Sequence, residues 1–231
     1  MHSYEEFAVA YARHTAANSY NTRYERPAMH AELGDIHGKA VLDAACASGE
    51  HTKLLLEAGA ARVIAVDASQ ALVDIARSRF DNRVQVVCAD LTAPMTFARE
   101  ASFDVVFSSL TLHYFERWEP TLREFFRVLV PGGLLLFSTH HPAMTGPRVQ
   151  NYHATQLVVN TWKVDGNETE VRFYHRPLQA ILDLVIGAGF RIERVVEPRL
   201  TTQASDVDDQ TFATLSTKPW FLIVRAEKPQ Q

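Results

Sequence analysis

From residue 40 onward, short apolar runs of strand character alternate with stretches whose apolar residues recur at helical spacing. AVLDA at 40–44 is the first such run, followed by a helix candidate over 48–58 that Gly59 can end. RVIAVD at 62–67 is a β-branched run, and Ser69 is placed to cap a helix through residue 78. VQVVCA at 84–89 and FDVVFS at 103–108 read as two more strands. Leu122, Phe125, Phe126 and Leu129 stand at i, i+3, i+4 and i+7, one face of an amphipathic helix. Pro-Gly-Gly at 131–133 is expected to stop that helix sharply, leaving 134–139 as a fifth strand. Leu178, Ile181, Leu182 and Val185 repeat the helical spacing between Pro177, which suits a first turn, and Gly189, which suits a C-terminal cap. Residues 190–197 and 220–226 are the last two strand candidates.

Strand and helix in alternation, with short links, predict an α/β fold: a doubly wound, mostly parallel sheet covered on both faces. Such sheets bind ligands beyond the carboxyl ends of their strands, so the loops after residues 44, 67, 89, 108 and 139 should share one rim. Two stretches stand outside the alternation within a single domain over 1–231. One is a helical N-terminal arm at 1–35, the other a polar segment with aromatics at 142–174, and each has the size of a lid over the rim.

The composition, 47% hydrophobic and 22% charged over 231 residues, suits one globular domain with a substantial core. Lys and Arg number 23 against 27 Asp and Glu, a net charge of −4 that gives no general basic footprint for nucleic acid or an anionic membrane. No apolar run approaches the roughly 18–20 residues of a membrane span, and the N-terminus has no basic-then-apolar signal pattern. The expectation is a cytoplasmic monomer or homodimer. Cys46 and Cys88 both sit in strand-like surroundings and read as small buried hydrophobes.

Chemistry is sought on the rim. A helix starting at Ser48 or Gly49 would point N–H groups and a positive dipole end at the preceding loop, and small side chains at Ala45, Ala47 and Gly49 let a ligand approach the backbone. Alanine serves there cheaply only if φ stays negative. Asp67 ends the second strand, 24 residues after Asp43, the place where one carboxylate can accept both hydroxyls of a ribose. Asp90 ends the third strand and can accept a hydrogen bond from an exocyclic amine such as adenine's.

Together these stretches resemble the class I S-adenosylmethionine-dependent methyltransferases. VLDAACASG is similar to their first motif, with alanine where glycines usually stand at 45 and 47. VIAVDAS resembles the ribose-binding strand end, VVCADL the adenine-binding one, and FDVVFSSLTLHYF with LREFFRVLVPGGLLLFS the fourth and fifth strand regions of the small-molecule branch. The resemblance implies a Rossmann-like, seven-stranded sheet with the last strand antiparallel between the fifth and sixth. It implies S-adenosylmethionine as cofactor, with Asp43, Ala45, Ala47 and Gly49 around its methionine part. Asp67 and Ala68 would hold the ribose, Asp90 and Leu91 the adenine, and Ser108 and His113 the other side; Tyr20 from the arm joins this set.

The loop after the fourth strand, Ser108-Ser109-Leu110-Thr111, lacks the Asp/Asn-Pro-Pro-aromatic motif of amino-group methylating enzymes of DNA and protein. Neither a Pro-Cys nucleophile nor an acidic Mg²⁺ ligand set matches, so a small substrate and no metal are expected. Methyl transfer from a sulfonium is an in-line displacement that mainly needs alignment, and a histidine serves best where a proton must leave. His113, His140 and His141 are the candidates for that base. Substrate contacts are expected from Tyr11, Tyr24, His140, His141, Tyr152, Trp162, Tyr174, His175 and Arg176, with aromatic faces suited to a flat substrate, and Arg26 or Arg176 could hold a carboxylate. Two rivals are a nicotinamide reductase, which lacks its Gly-x-Gly-x-x-Gly turn here, and a cofactor-binding regulatory protein without catalysis.

Overall fold

The computed structural model describes residues 8–164 and 167–230; of Tyr11 and of residues 162–164 and 167 only the backbone is described. The strands are β1 (Ala40–Ala44), β2 (Arg62–Asp67), β3 (Val84–Cys88), β4 (Phe103–Ser108), β5 (Leu129–His140), β6 (Gln156–Val164), β7 (Asn167–His175), β8 (Arg191–Val196) and β9 (Phe221–Glu227). The helices are α1 (Ala8–Ala17), α2 (Arg26–Leu33), α3 (Glu50–Glu57), α4 (Gln70–Arg77), α5 (Glu119–Val128), α6 (Pro142–Thr145), α7 (Leu178–Gly187) and α8 (Asp209–Thr217), with a π-helical turn at Tyr20–Glu25 between α1 and α2.

Seven strands form one sheet in the order β3-β2-β1-β4-β5-β9-β8, and β6 and β7 form a separate hairpin. Neighbours from β3 through β5 are parallel, whereas β9 runs antiparallel to both β5 and β8. This is the doubly wound architecture, with the last strand inserted antiparallel, and its strand order reverses between β1 and β4. Successive strand residues face opposite sides. Leu42, Ile64, Val106, Leu135 and Phe137 therefore pack with Leu122, Phe125, Ile181 and Val185 on one face. Val41, Val63, Val105, Phe107 and Leu136 pack with Met29, Leu33 and Leu55 on the other. Ser69 caps α4 as its position suggests, its hydroxyl accepting from the Leu72 N–H at 3.2 Å.

Two local expectations are corrected. Pro-Gly-Gly does not end the helix: α5 stops at Val128, and β5 already begins at Leu129 and runs through the glycines. The pairing jumps from Phe103↔Leu129 to Val105↔Leu134, so residues 130–133 are an irregular stretch of strand, with Gly132 at φ +76° and its N–H bonded to the Lys228 carbonyl. Cys88 is exposed rather than buried, because β3 lies at the edge of the sheet; Cys46 is buried. Among the described residues no helix is long and apolar enough to cross a membrane.

Candidate functional site

The loop leaving β1 is tied across to the second strand and its exit. The Cys46 N–H donates to the Val66 carbonyl at 2.9 Å, and the Ala47 N–H donates to Asp67 Oδ2 at 2.8 Å. These two bonds hold the turn in a left-handed conformation: Ala45 has φ +69°, Ala47 φ +49° and Gly49 φ +88°. A Cβ on Gly49 would lie 2.5 Å from Cε2 of Phe80, so glycine is required there twice over. The condition for cheap alanines is not met, and the loop carries them in a backbone that costs about 1–2 kcal/mol for each side chain with a Cβ.

Asp67 Oδ1 accepts from the Ser69 N–H at 3.0 Å as well. Asp43 is buried, accepts from Thr52 Oγ1 at 2.5 Å, and is pushed up to about 6 by burial, with the Thr52 bond opposing. Asp90 is exposed and folds back on its own turn, accepting from the Thr92 N–H and hydroxyl, while Leu91 beside it is buried.

Register brings the other half of the site alongside. Asp43 pairs with Phe107, and Ser108 pairs with Phe137, so Ser108 stands at the strand ends between β1 and β5. Past those ends His113 and His140 stack, 3.7 Å between ring centroids and 13° between planes. Phe173 of the hairpin meets the His140 ring edge-on at 4.5 Å, and Phe221 lies 6.0 Å from it. Burial holds His140 down to about 3 and His113 well below the ordinary imidazole range, so both rings are neutral. Buried polar atoms without a hydrogen-bond partner among the described residues collect here: Ser108 Oγ, His113 Nδ1 and Nε2, and His140 Nδ1, with Ser48 Oγ on the β1 loop. Such atoms are costly to leave unpaired, and these stand around the ends of β1, β4 and β5.

The remaining expected residues lie elsewhere or are occupied. His141 caps α6, its Nδ1 accepting from the Ala143 N–H at 3.0 Å, while Nε2 approaches Glu197 to 2.8 Å without hydrogen-bond alignment. His175 uses both ring nitrogens, toward Thr145 Oγ1 at 2.5 Å and the Tyr152 carbonyl at 2.9 Å. Tyr152 is exposed. Arg176 bonds the Phe115 and Glu116 carbonyls and lies against the faces of Trp118 (4.8 Å) and Tyr174 (5.8 Å), in a cleft edged by Glu116, Glu119 and Asp183. Burial lowers it to about 10, and the acids around it do not suit a carboxylate. Arg26 bonds the Thr15 carbonyl at 3.3 Å. Tyr20 rests on Trp220 at 5.2 Å, and the Tyr24 hydroxyl accepts from the Trp220 N–H at 3.1 Å. The side chains of Tyr11 and Trp162 lie outside the described residues.

The arm supplies a group that the sequence does not point to. Glu25 is fully buried; its Oε1 accepts from Ser109 Oγ at 2.8 Å and Ser138 Oγ at 2.5 Å, and Oε2 lies 3.4 Å from His51 Nε2. Burial pushes this carboxyl up, but His51 and the two hydroxyls outweigh it, and the net shift is downward. His51 in turn stacks on His30, with Nδ1 3.2 Å from His30 Nε2, and burial lowers His30 to about 4. In this stretch the neighbouring Arg26 is the residue whose type suggests a ligand; nothing in the spacing singles out the acid before it. Among the described residues no group of three His, Cys, Asp or Glu is placed to hold a metal ion.

A methyltransferase-domain family model matches residues 42–137, which runs from β1 into β5. An uncharacterized Haemophilus influenzae protein is 31% identical over 232 aligned positions, covering 92% of this chain and 90% of its own length. A Serratia marcescens malonyl-[acyl-carrier protein] O-methyltransferase is 33% identical over 137 positions, 57% of this chain and only 52% of that enzyme. The crystal structure of an S-adenosylmethionine-dependent methyltransferase from Mesorhizobium loti superposes with a TM-score of 0.68 at 26% identity, covering 92% of this chain and 99% of the other.

Proposed function

Since the chain belongs to the class I S-adenosylmethionine-dependent methyltransferases, we propose that it methylates a small aromatic or heteroaromatic metabolite at a neutral hydroxyl or ring nitrogen, held against His113 and His140. S-adenosylmethionine supplies an activated methyl group on a sulfonium. The residues present fit it: a left-handed loop at Ala45, Ala47 and Gly49 opens backbone to a ligand, Ser48 and Ser108 have unspent hydroxyls, and the Asp67 carboxylate stands at the end of β2 beside that loop.

The observation that carries the substrate reading is the stacked, neutral imidazole pair with three unpaired ring nitrogens beside Ser108. Rings 3.7 Å apart in an apolar enclosure favour an uncharged, planar partner that exchanges hydrogen bonds with them. They do not present a cation to a carboxylate. An imidazole lowered to about 3 is a weak proton acceptor at neutral pH, so the contribution assigned to His140 is orientation and exclusion of water rather than strong base catalysis.

Calorimetry with S-adenosylhomocysteine and a labelled methyl-transfer screen over phenols, N-heteroaromatics and carboxylates test this. Binding is expected together with turnover among the uncharged acceptors. His140→Phe should lose turnover at least 100-fold with the S-adenosylhomocysteine dissociation constant within threefold, whereas His140→Gln should stay within about tenfold of the parent, because it keeps hydrogen bonding without basicity. Turnover confined to carboxylates defeats the substrate reading. Binding without turnover of any acceptor leaves a cofactor-binding protein instead.

A further inference from the structure

We infer that Glu25 is a positioning residue, the strut through which docking of the N-terminal arm fixes the backbone leading from β4 to His113. Its effect on turnover rests on the methyltransferase reading above; the strut itself rests on geometry alone.

The exit from β4 needs support. Leu110 has φ +45°, a left-handed conformation for a side chain that disfavours it by about 1–2 kcal/mol. The Leu110 N–H donates to Ser138 Oγ at 3.0 Å. Ser138 is fully buried, and its one hydroxyl proton goes to Glu25 Oε1 at 2.5 Å. Ser109 donates to the same oxygen at 2.8 Å. One carboxylate oxygen on the arm therefore gathers the exit of β4 and the end of β5, and the relay from Leu110 through Ser138 ends on it. The next residues are Thr111, whose hydroxyl returns to the Ser109 carbonyl at 2.9 Å, and the short turn Leu112–Tyr114 that carries His113.

The arm reaches this place for its own reasons. Tyr24 and Met29, one residue before and four after Glu25, are buried, against Phe221 and in the α2–α3 core face respectively. The apolar contacts dock the arm, and Glu25 comes with them. A buried carboxylate with one hydroxyl donor on β5 and another just past the end of β4 is strong in this setting, because charge-assisted bonds gain from the absence of water. His51, 3.4 Å from the second oxygen, faces it from α3. The arm is thus more than a cover: when it docks, it sets the path that presents His113 to His140.

Amide hydrogen exchange on the intact chain without cofactor tests the strut. Glu25→Ala and Ser138→Ala should each speed exchange across residues 109–113 about tenfold, with β1 and β2 unchanged. Glu25→Gln, which keeps an accepting oxygen for both serines, should restore most of the protection. In turnover assays the first two should lower kcat about tenfold while the S-adenosylhomocysteine dissociation constant stays within threefold. Unchanged exchange at 109–113 in either alanine variant, or a rise spread evenly over the whole chain, overturns the proposal. If Glu25→Ala does not fold, Ser138→Ala decides alone. Selective loosening of 109–113 in a protein that methylates nothing would keep the strut and remove the methyltransferase reading.

Discussion

At the scale of single residues, the alanines of the β1 loop are the point where local preference and fold disagree. Ala45 and Ala47 sit at φ +69° and +49°, held there by the bonds to Val66 and Asp67 rather than by their own propensity. Replacing both with glycine relieves backbone strain but gives the unfolded chain more entropy, and the relief outweighs that entropy. Ala45→Gly with Ala47→Gly should therefore stabilise the protein by about 1 kcal/mol and raise Tm by about 2–4 °C. Thermal unfolding checks this, and a lower Tm would show that the loop is not strained. Gly49→Ala should act in the opposite direction and by more, since strain there adds to collision with Phe80. That the loop is built of small residues was legible in its letters. The sign of φ was not, because it depends on a carboxylate 20 residues away.

At the scale of elements, the segment 142–174 folds into a hairpin whose internal order is not legible in the sequence. β6 and β7 pair from Gln156↔His175 to Val164↔Asn167, and Val158, Val171 and Phe173 face inward against Tyr114 and Val149. Phe173 thereby reaches His140, while Leu157 and Val159 are left exposed on the opposite side. Alternation along each strand sorts these residues, but charged and polar positions among them mask the pattern in the sequence. Val158→Ala with Val171→Ala removes the apolar seating of the hairpin, at about 1–2 kcal/mol per site. Turnover should fall at least tenfold with S-adenosylhomocysteine affinity within threefold, since the loops proposed to hold the cofactor leave the seven-stranded sheet and the hairpin is separate from it. Equal losses in both, measured by calorimetry and methyl transfer, would place the hairpin on the cofactor instead.

At the scale of the whole molecule, the buried histidines couple folding to pH. His30 is held down to about 4, His140 to about 3 and His113 lower than usual, all with burial as the leading cause. Each is bound more weakly to a proton in the folded chain than in the unfolded one. Its contribution is therefore complete above about pH 6.5 and lost as the pH falls, at about 1.4 kcal/mol per pH unit per histidine. Asp43, raised to about 6, works the other way: its contribution is complete below about pH 4 and disappears as the pH rises through 6. The lowered histidines outweigh this one aspartate, so stability should drop as the pH falls from 6 to 4. Denaturant midpoints across that range measure it, and His140→Gln should flatten the slope by about 1.4 kcal/mol per unit. A level profile would mean that the imidazoles are open to water.

The sequence by itself determined the sheet, its helical cover and the rim, because period-2 and period-3.6 patterns with caps such as Ser69 are local and leave few topologies. It also determined the family, through residues within ten positions of each strand end. The tertiary structure alone decided which of the many histidines meet, that both ring nitrogens of His175 are engaged, and that Glu25 spans 84 residues to Ser109 and 113 to Ser138. These are contacts between strand exits and a distant arm. No local pattern encodes them, since a buried acid and an exposed one are written with the same letter and only burial tells them apart.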